Sequence, residues 1–318
     1  MRNFLIIPIL FIFLVSCSNS EDFDIPKISK LEKLEEHSNQ FIKGIYSYDN
    51  GIHVAIGFGI ANSIMVEGEG GNIIIDTTDD VSQAKEVLSE FQKINQNPIK
   101  AIIYTHNHGD HVFGASEFYN AQEENPLVIA HSTTAEKVEK ILGIINPIIT
   151  LRSGKMFGTN LDDNELINVG LGPYLSAGRS SPGYIAPTLT FEKELKLEIA
   201  GHKVELYHAP GETDDQLFVW FPELSALMPG DNFYTTFPNL YTIRGTSHRD
   251  VIGWVNSIDK MRSLDPQYLF PSHTMPVEGE EISNALIIYR DGMQYVHDQT
   301  VRLMNKGLTP DEIVKELE

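Results

Sequence analysis

Residues 105–111 of this chain, which read THNHGDH, place four potential metal ligands within six positions, directly after an apolar run at residues 100–104. The four side chains are His106, His108, Asp110 and His111. A loop can bring such closely spaced groups onto one centre, and mixed nitrogen and oxygen donors are typical of hydrolytic zinc sites. The alternative is a histidine-rich surface loop, which the density of ligands disfavours. The motif therefore predicts a fold in which a strand delivers polar side chains to one edge of a sheet.

The rest of the chain alternates β-rich and helical patterns twice, which predicts an α/β fold of the αββα kind. Such a fold has two mixed sheets face to face, flanked by helices, and here it carries a helical C-terminal extension. The predicted strands are residues 53–58, 63–67, 72–76, 100–104, 127–131, 189–199, 202–207 and 217–220, with a last one ending at Phe270. The predicted helices are residues 80–94, 133–142, 249–262, 280–305 and a final one after residue 309. Residues 143–187 lack a strong periodicity and are predicted to be a functional loop or lid.

The N-terminus predicts export and lipid anchoring. Arg2, an apolar run at residues 4–15 and Cys17 resemble a bacterial lipoprotein signal with its lipobox. The alternative, a transmembrane anchor, would need about 20 apolar residues. We therefore expect a signal peptide at 1–17, a tether at 18–30 and a catalytic domain at 31–279. Ser18 after the lipidated Cys17 favours the bacterial cell envelope, at the periplasmic face of the outer membrane.

Charge and cysteine content exclude several classes of protein. Lys and Arg number 24 against 44 Asp and Glu, so the formal net charge is -20. This charge repels nucleic acid and anionic membranes through the long-range field, and nucleic acid is not an expected partner. An anionic substrate would need cations concentrated at the site. The single cysteine rules out an intramolecular disulfide and a paired-cysteine metal site.

The 105–111 motif resembles the signature of the metallo-β-lactamase superfamily. Later motifs of that superfamily have counterparts here in the same order: Pro210-Gly211-Glu212, Gly230-Asp231 and Pro271-Ser272-His273. The resemblance implies two Zn²⁺ ions, one held by His106, His108 and Glu212, the other by Asp110, His111 and His273, with Asp231 bridging both. Taken singly, Glu212, Asp231 and His273 could instead be a surface carboxylate, a turn former and a core histidine. His208 receives no metal role.

Glu212 replaces the histidine that is usual in the superfamily, and this replacement resembles the zinc-dependent alkylsulfatases. Residues 239–246, which read NLYTIRGT, are similar to a signature of that branch. The resemblance implies that Asn239, Tyr241, Arg244 and Arg249 bind the sulfate group. The alternative for the two arginines is ordinary solvation at the surface. Relatives continue beyond the equivalent of Glu318, so residues 280–318 are expected to be the helical start of a dimerisation region, and a homodimer is one option.

The function that this resemblance implies is zinc-dependent hydrolysis of alkyl sulfate esters to an alcohol and inorganic sulfate. Asp110 and Asp231 are the expected catalytic groups, because they could orient the attacking water and handle its proton. Two alternatives stay open. One is a hydrolase of the same fold that acts on a lactone, a phosphodiester or a β-lactam, and the other is a non-catalytic surface lipoprotein.

Overall fold

The structure is a computed structural model that describes residues 30–162, 165–175 and 182–317. Its strands are β1 (Gly44–Ser47), β2 (Ile52–Ile56), β3 (Ser63–Gly68), β4 (Gly71–Ile75), β5 (Ile99–Ile103), β6 (Leu127–His131), β7 (Leu189–Phe191), β8 (Glu194–Ile199), β9 (His202–His208), β10 (Leu217–Phe221), β11 (Ala226–Met228), β12 (Tyr268–Leu269) and β13 (Val277–Glu278). Its α-helices are α1 (Lys30–His37), α2 (Val81–Ile94), α3 (Gly109–Val112), α4 (Ala115–Asn120), α5 (Thr134–Glu139), α6 (Asn146–Met156), α7 (Val251–Arg262), α8 (Glu281–Met304) and α9 (Pro310–Glu316). The predicted signal peptide with Cys17, and the predicted tether except Lys30, lie outside the described residues.

Two mixed sheets form the centre of the fold, as predicted. The first has seven strands in the order β1 to β7, antiparallel from β1 to β4 and parallel from β4 to β7. The second has six strands in the order β13-β12-β11-β10-β9-β8, and only its β11–β12 pair is parallel.

Apolar side chains fill three interfaces and so define four layers. Residues that alternate along the strands, such as Ile52, Val54 and Ile56, meet Leu206 and Val219 of the second sheet in a buried core. The outer face of the first sheet packs against α2 and α4, and that of the second packs against α7 and α8. This is the predicted αββα sandwich, and α8 and α9 provide the predicted C-terminal helical extension.

The predicted single strand at residues 189–199 was wrong, because the chain changes sheet within it. β7 pairs with β6 in the first sheet, whereas β8 pairs with β9 in the second. Glu192 and Lys193 form the bend between them. Both sheets use the same alternation of apolar and polar residues, so the sequence pattern continues across a break that only the pairing partners define.

The predicted loop at residues 143–187 contains a helix, α6, that follows a π-helical turn at Lys140–Ile144. None of the residues of α6 is buried. Its apolar residues lie on more than one side, and Pro147 and Gly154 are also typical of loops, so the sequence lacks the single apolar stripe by which a helix is usually recognised. Across the described ranges, no helix combines the length and apolarity needed to cross a bilayer.

Candidate metal centre and adjoining cavity

Each predicted metal ligand lies in a segment that follows a strand. The 105–111 segment, whose Asp110 and His111 belong to the short helix α3, follows β5, Glu212 follows β9, Asp231 follows β11 and His273 follows β12. Because β11 and β12 pair in parallel, the segments that carry Asp231 and His273 begin side by side. The structure therefore brings together seven side chains that span more than half of the sequence.

Four of these side chains form one cluster, made of Asp110, His111, Asp231 and His273, with ligand atoms within 4.8 Å of one another. His273 Nε2 lies 3.2 Å from Asp231 Oδ2 and 3.5 Å from Asp110 Oδ2. His111 Nε2 lies 3.3 Å from Asp110 Oδ2 and 3.4 Å from Asp231 Oδ2. Two imidazole nitrogens and two carboxylates thus converge on one point.

A second cluster contains His106, His108 and again Asp231. His106 Nε2 lies 3.7 Å from Asp231 Oδ2, and His108 Nδ1 lies 3.8 Å from Glu212 Oε1. Asp231 belongs to both clusters, which is the arrangement that a bridging carboxylate requires.

Several buried polar atoms of the two clusters have no hydrogen-bond partner among the described residues. They are His106 Nε2, His111 Nε2, Glu212 Oε2 and Asp231 Oδ1. Unpaired buried polar atoms are costly and rare, and atoms that converge from different loops can all be satisfied by shared cations. The donor set of imidazole and carboxylate therefore fits a pair of divalent metal ions such as zinc.

Electrostatics divide the histidines into two groups. Burial lowers the pKa of His106 to about 4 and the pKa of His108 well below its ordinary value, so both are neutral and able to donate a lone pair. Burial opposes the charge of His273 as well, but Asp231 and Asp110 raise its pKa to about 10. Burial also opposes the charge on Asp231, which His111 and His273 outweigh, so the pKa of this carboxyl lies well below its ordinary value. Without bound metal, His273 is therefore protonated at the position where a cation would bind.

Asp76, at the end of β4, organises the centre from behind, and the sequence analysis assigned it no role. Its Oδ2 accepts hydrogen bonds from His111 Nδ1 at 2.7 Å, Thr105 Oγ1 at 2.8 Å and Ser272 Oγ at 2.7 Å. A carboxylate on the far nitrogen of a metal-binding histidine fixes its tautomer and raises its basicity. The signal available in the sequence was an acidic residue directly after the isoleucine-rich strand β4.

His208 lies away from the centre. Its Nε2 is 2.9 Å from the carbonyl oxygen of Asp214, and its ring stacks on His131 with centroids 4.2 Å apart.

A cavity of about 370 Å³ opens over the metal clusters. Asn239 and Arg244 line it beside Glu212, and Arg244 Nη2 lies 3.4 Å from His108 Nε2. A partly buried cation next to the proposed metal ligands of a strongly acidic chain supplies the local positive charge that an anionic substrate needs.

The other two predicted substrate-binding residues, Arg249 and Tyr241, lie outside the lining that Asn239 and Arg244 form. Arg249 is buried, its Nη2 lies 2.8 Å from Glu212 Oε1, and its Nη1 donates to the carbonyl oxygen of Asn239. Tyr241 is 64% exposed. Neither is among the described residues that line the cavity. Their contact with sulfate stays a prediction, and the contacts of Arg249 show a residue that positions Glu212 and Asn239.

The remainder of the cavity wall is mostly apolar and comes largely from the region predicted as a loop. Its apolar lining residues are Ile60, Phe113, Ile141, Leu142, Ile149, Met156, Phe157, Leu171, Leu175 and Pro182. The cavity thus combines a charged floor, where the metal ligands lie, with walls suited to a hydrocarbon group.

Comparison of the sequence with known proteins identifies its family. Residues 56–273 match the family model described as the metallo-beta-lactamase superfamily. A linear primary-alkylsulfatase from a Pseudomonas strain is 41% identical over 260 residues, which are 80% of this chain and 49% of that protein. The alkyl/aryl-sulfatase BDS1 of Saccharomyces cerevisiae is 28% identical over 291 residues, covering 87% of this chain and 44% of that protein. The chain therefore spans about half the length of the curated relatives that it matches.

Solved structures show the same fold. A double mutant of the sec-alkyl sulfatase PisA1 matches 90% of this chain and 46% of that one with a TM-score of 0.82 at 25% sequence identity. A metallo-beta-lactamase from Pontibacter korlensis matches 79% of this chain and 98% of that one with a TM-score of 0.54 at 18% identity, which bears on the fold alone. With a family match over more than two thirds of its residues, and with that fold, this chain belongs to the metallo-β-lactamase superfamily.

Proposed function

We propose that this protein hydrolyses alkyl sulfate esters to an alcohol and inorganic sulfate, using two zinc ions. The observation that carries the proposal is the position of Arg244, whose guanidinium lies in the cavity 3.4 Å from the metal ligand His108. The similarity to alkylsulfatases along most of the chain supports the same substrate class. No observation favours a lactone, phosphodiester or β-lactam over a sulfate ester.

The proposed metal ligands form two groups that share one residue. His106, His108 and Glu212 would hold one zinc ion, Asp110, His111 and His273 the other, and Asp231 both. Bound zinc supplies Lewis acidity, which lowers the pKa of water to about 7 and so provides a nucleophile at neutral pH.

Asp110 and Asp231 face the cavity, where their carboxylates can orient a water molecule and accept its proton. Arg244 and Asn239 hold the sulfate group and stabilise the charge that gathers on it as the ester bond breaks. Arg249 keeps Glu212 and the backbone of Asn239 in place through the contacts already described.

The alkyl group would lie against the apolar wall. Ile149, Met156 and Phe157 face this part of the cavity from α6 and its C-terminal end. Burying hydrocarbon there contributes about 0.8 kcal/mol for each CH₂ group, so the wall favours longer chains.

We also propose that the chain is a lipoprotein anchored through Cys17 at the periplasmic face of the outer membrane, and that it can pair as a homodimer. The lipobox-like sequence before Cys17 supports the anchor. Exposed apolar residues on α8, such as Ile288, support a surface available for pairing.

The test of the catalytic proposal is a substrate comparison with purified, zinc-quantified protein. We expect sulfate release from dodecyl sulfate and no turnover of nitrocefin or of a phosphodiester. His108→Ala should abolish sulfate release because it removes a metal ligand. Arg244→Gln should keep its zinc but lose about a hundredfold in kcat/KM, the effect of removing a charge-assisted contact.

Arg290→Gln is the matched control, because Arg290 pairs with Asp259 on the helical side of the second sheet. Turnover of nitrocefin or of the phosphodiester in place of dodecyl sulfate would replace the proposed substrate class. Zinc-free, inactive protein would support the alternative of a binding lipoprotein.

A further inference from the structure

The helix α6 presents two different apolar surfaces. Ile149, Ser153 and Met156, spaced by four and three residues, line the cavity. Ile144, Ile148 and Leu151, with the same spacing, lie on the other side and are 81%, 45% and 58% exposed. These outer residues do not line the cavity, so the apolar wall of the substrate site does not explain them.

The outward apolar surface continues onto the neighbouring turn. Thr242 Oγ1 lies 3.0 Å from Met156 Sδ, and Arg152 Nη1 lies 3.5 Å from the carbonyl oxygen of Arg244, so this turn packs against α6. Its Ile243 is 91% exposed and its Tyr241 is 64% exposed. We call the five exposed side chains Ile144, Ile148, Leu151, Tyr241 and Ile243 the rim patch. Exposed apolar patches of this kind mark sites of interaction.

The segment that carries most of the rim patch is basic, unlike the chain as a whole. Between Glu139 and Asp162, residues 140–161 carry Lys140, Arg152 and Lys155 and no carboxylate, in a chain whose formal net charge is -20. Apolar side chains bordered by lysine and arginine match the boundary between anionic lipid headgroups and acyl chains. A second copy of the chain fits less well, because a symmetric pair would bring the same cations together face to face.

We propose that the rim patch docks the protein onto a lipid bilayer that carries anionic headgroups. Ile144, Ile148, Leu151 and Ile243 enter the interface, while Lys140, Arg152 and Lys155 contact the headgroups. Docking places the mouth of the cavity against the bilayer, where single-chain amphiphiles dissolve. The docking does not depend on the proposed hydrolysis. Only the supply of substrate from the bilayer rests on the proposed function.

A local probe tests this orientation even where the N-terminal apolar residues also bring the chain to vesicles. In the full chain carrying Cys17→Ser, Leu151→Cys is labelled with the fluorophore NBD, and Leu127→Cys at the start of β6, 43% exposed, is the matched control. Vesicles contain phosphatidylcholine alone or with phosphatidylglycerol, each with doxyl-labelled lipid as quencher. We expect blue-shifted and quenched emission at position 151 on the anionic vesicles, and no change at position 127.

Substitution of the cations tests the electrostatic part. Lys140→Gln with Lys155→Gln should weaken the response at position 151 about 25-fold, or about fivefold for each lysine removed. Equal responses at positions 151 and 127, no response at position 151, or equal responses on neutral vesicles would overturn the proposal. A blue shift at position 151 that grows with protein concentration without vesicles would assign the rim patch to a second copy of the chain instead.

Discussion

At the scale of single residues, the metal centre depends on side chains that do not themselves reach the metals. Asp76 accepts three side-chain hydrogen bonds, from the ligand His111 and from Thr105 and Ser272, which belong to two different ligand loops. One buried carboxylate thus joins the loops after β5 and β12. Asp215 does the same elsewhere, since it accepts from Asn107 in the first loop and from Thr134 at the start of α5.

Removal of the charge of Asp76 should weaken metal binding more than it weakens the fold. Asp76→Asn keeps the shape of the side chain but replaces the charged acceptor of the His111 hydrogen bond with a weaker one. We therefore expect zinc affinity to fall about 10- to 100-fold. Competition with a chromogenic chelator measures this. Asp259→Asn, a change in a surface ion pair on α7, should bind zinc like the unchanged protein. Equal zinc affinity of Asp76→Asn and the unchanged protein would show that the carboxylate does not act through His111.

Metal binding should release protons. Burial opposes charge on His111 and His273, but nearby carboxylates raise the pKa of His273 to about 10 and that of His111 well above its ordinary value. His273 is therefore protonated at pH 8 in the metal-free protein, and the pKa of His111 is shifted in the same direction, while His106 and His108 are neutral. Because a metal ligand must be deprotonated, zinc binding at pH 8 should release at least about one proton from these histidines, and a zinc-bound water with a pKa of about 7 should release about one more.

Calorimetry in buffers of different ionisation enthalpy gives this number from the slope of the observed heat. His208→Gln, whose ring lies outside the centre, is the control and should give the same slope. A slope that indicates no release would mean that His111 and His273 are already neutral before zinc binds.

At the scale of elements, α6 is the part of the fold that sequence patterns describe least well and that shapes the cavity most. The helices α2, α7 and α8 show one apolar stripe each because each packs on a sheet. α6 contacts the cavity on one side and solvent on the other, so no single period dominates its sequence. Its inner residues set the wall that we assign to the alkyl chain.

Polar substitutions on the inner side of α6 should reduce the preference for long alkyl chains. Ile149→Ser with Met156→Ser removes apolar wall, so the gain in kcat/KM for each added CH₂, about 0.8 kcal/mol when fully buried, should become smaller. A series of monomeric alkyl sulfates of increasing length measures the slope. Leu151→Ser, on the outer side of the same helix, should leave that slope unchanged. If both variants follow the slope of the unchanged protein, the alkyl chain lies elsewhere.

At the scale of the whole molecule, the chain is acidic whereas its site contains two arginines. The chain carries an excess of 20 acidic residues, yet the buried Arg249 and the partly buried Arg244 lie beside proposed metal ligands. The long-range field therefore disfavours polyanions, while the cavity favours a small anion close to its floor.

Anchoring is also a property of the whole molecule. If Cys17 is lipidated, Cys17→Ser should abolish incorporation of radiolabelled palmitate into the protein without changing its specific activity on a monomeric substrate. Immunoprecipitation followed by autoradiography measures this, with Ser18→Ala as the neighbouring control. Equal labelling of Cys17→Ser and the unchanged protein would indicate that Cys17 does not carry the lipid.

The fold class follows from the sequence alone, because strand and helix periods and the 105–111 motif are local properties of the chain. All seven proposed metal ligands also came from the sequence, through the resemblance of its motifs to those of the superfamily. The tertiary structure alone decided where β7 ends and β8 begins, that residues 146–156 form α6, and that Arg249 contacts Glu212. It also revealed Asp76 behind the metal centre. These features depend on which distant segments meet, and no pattern along one segment carries that information.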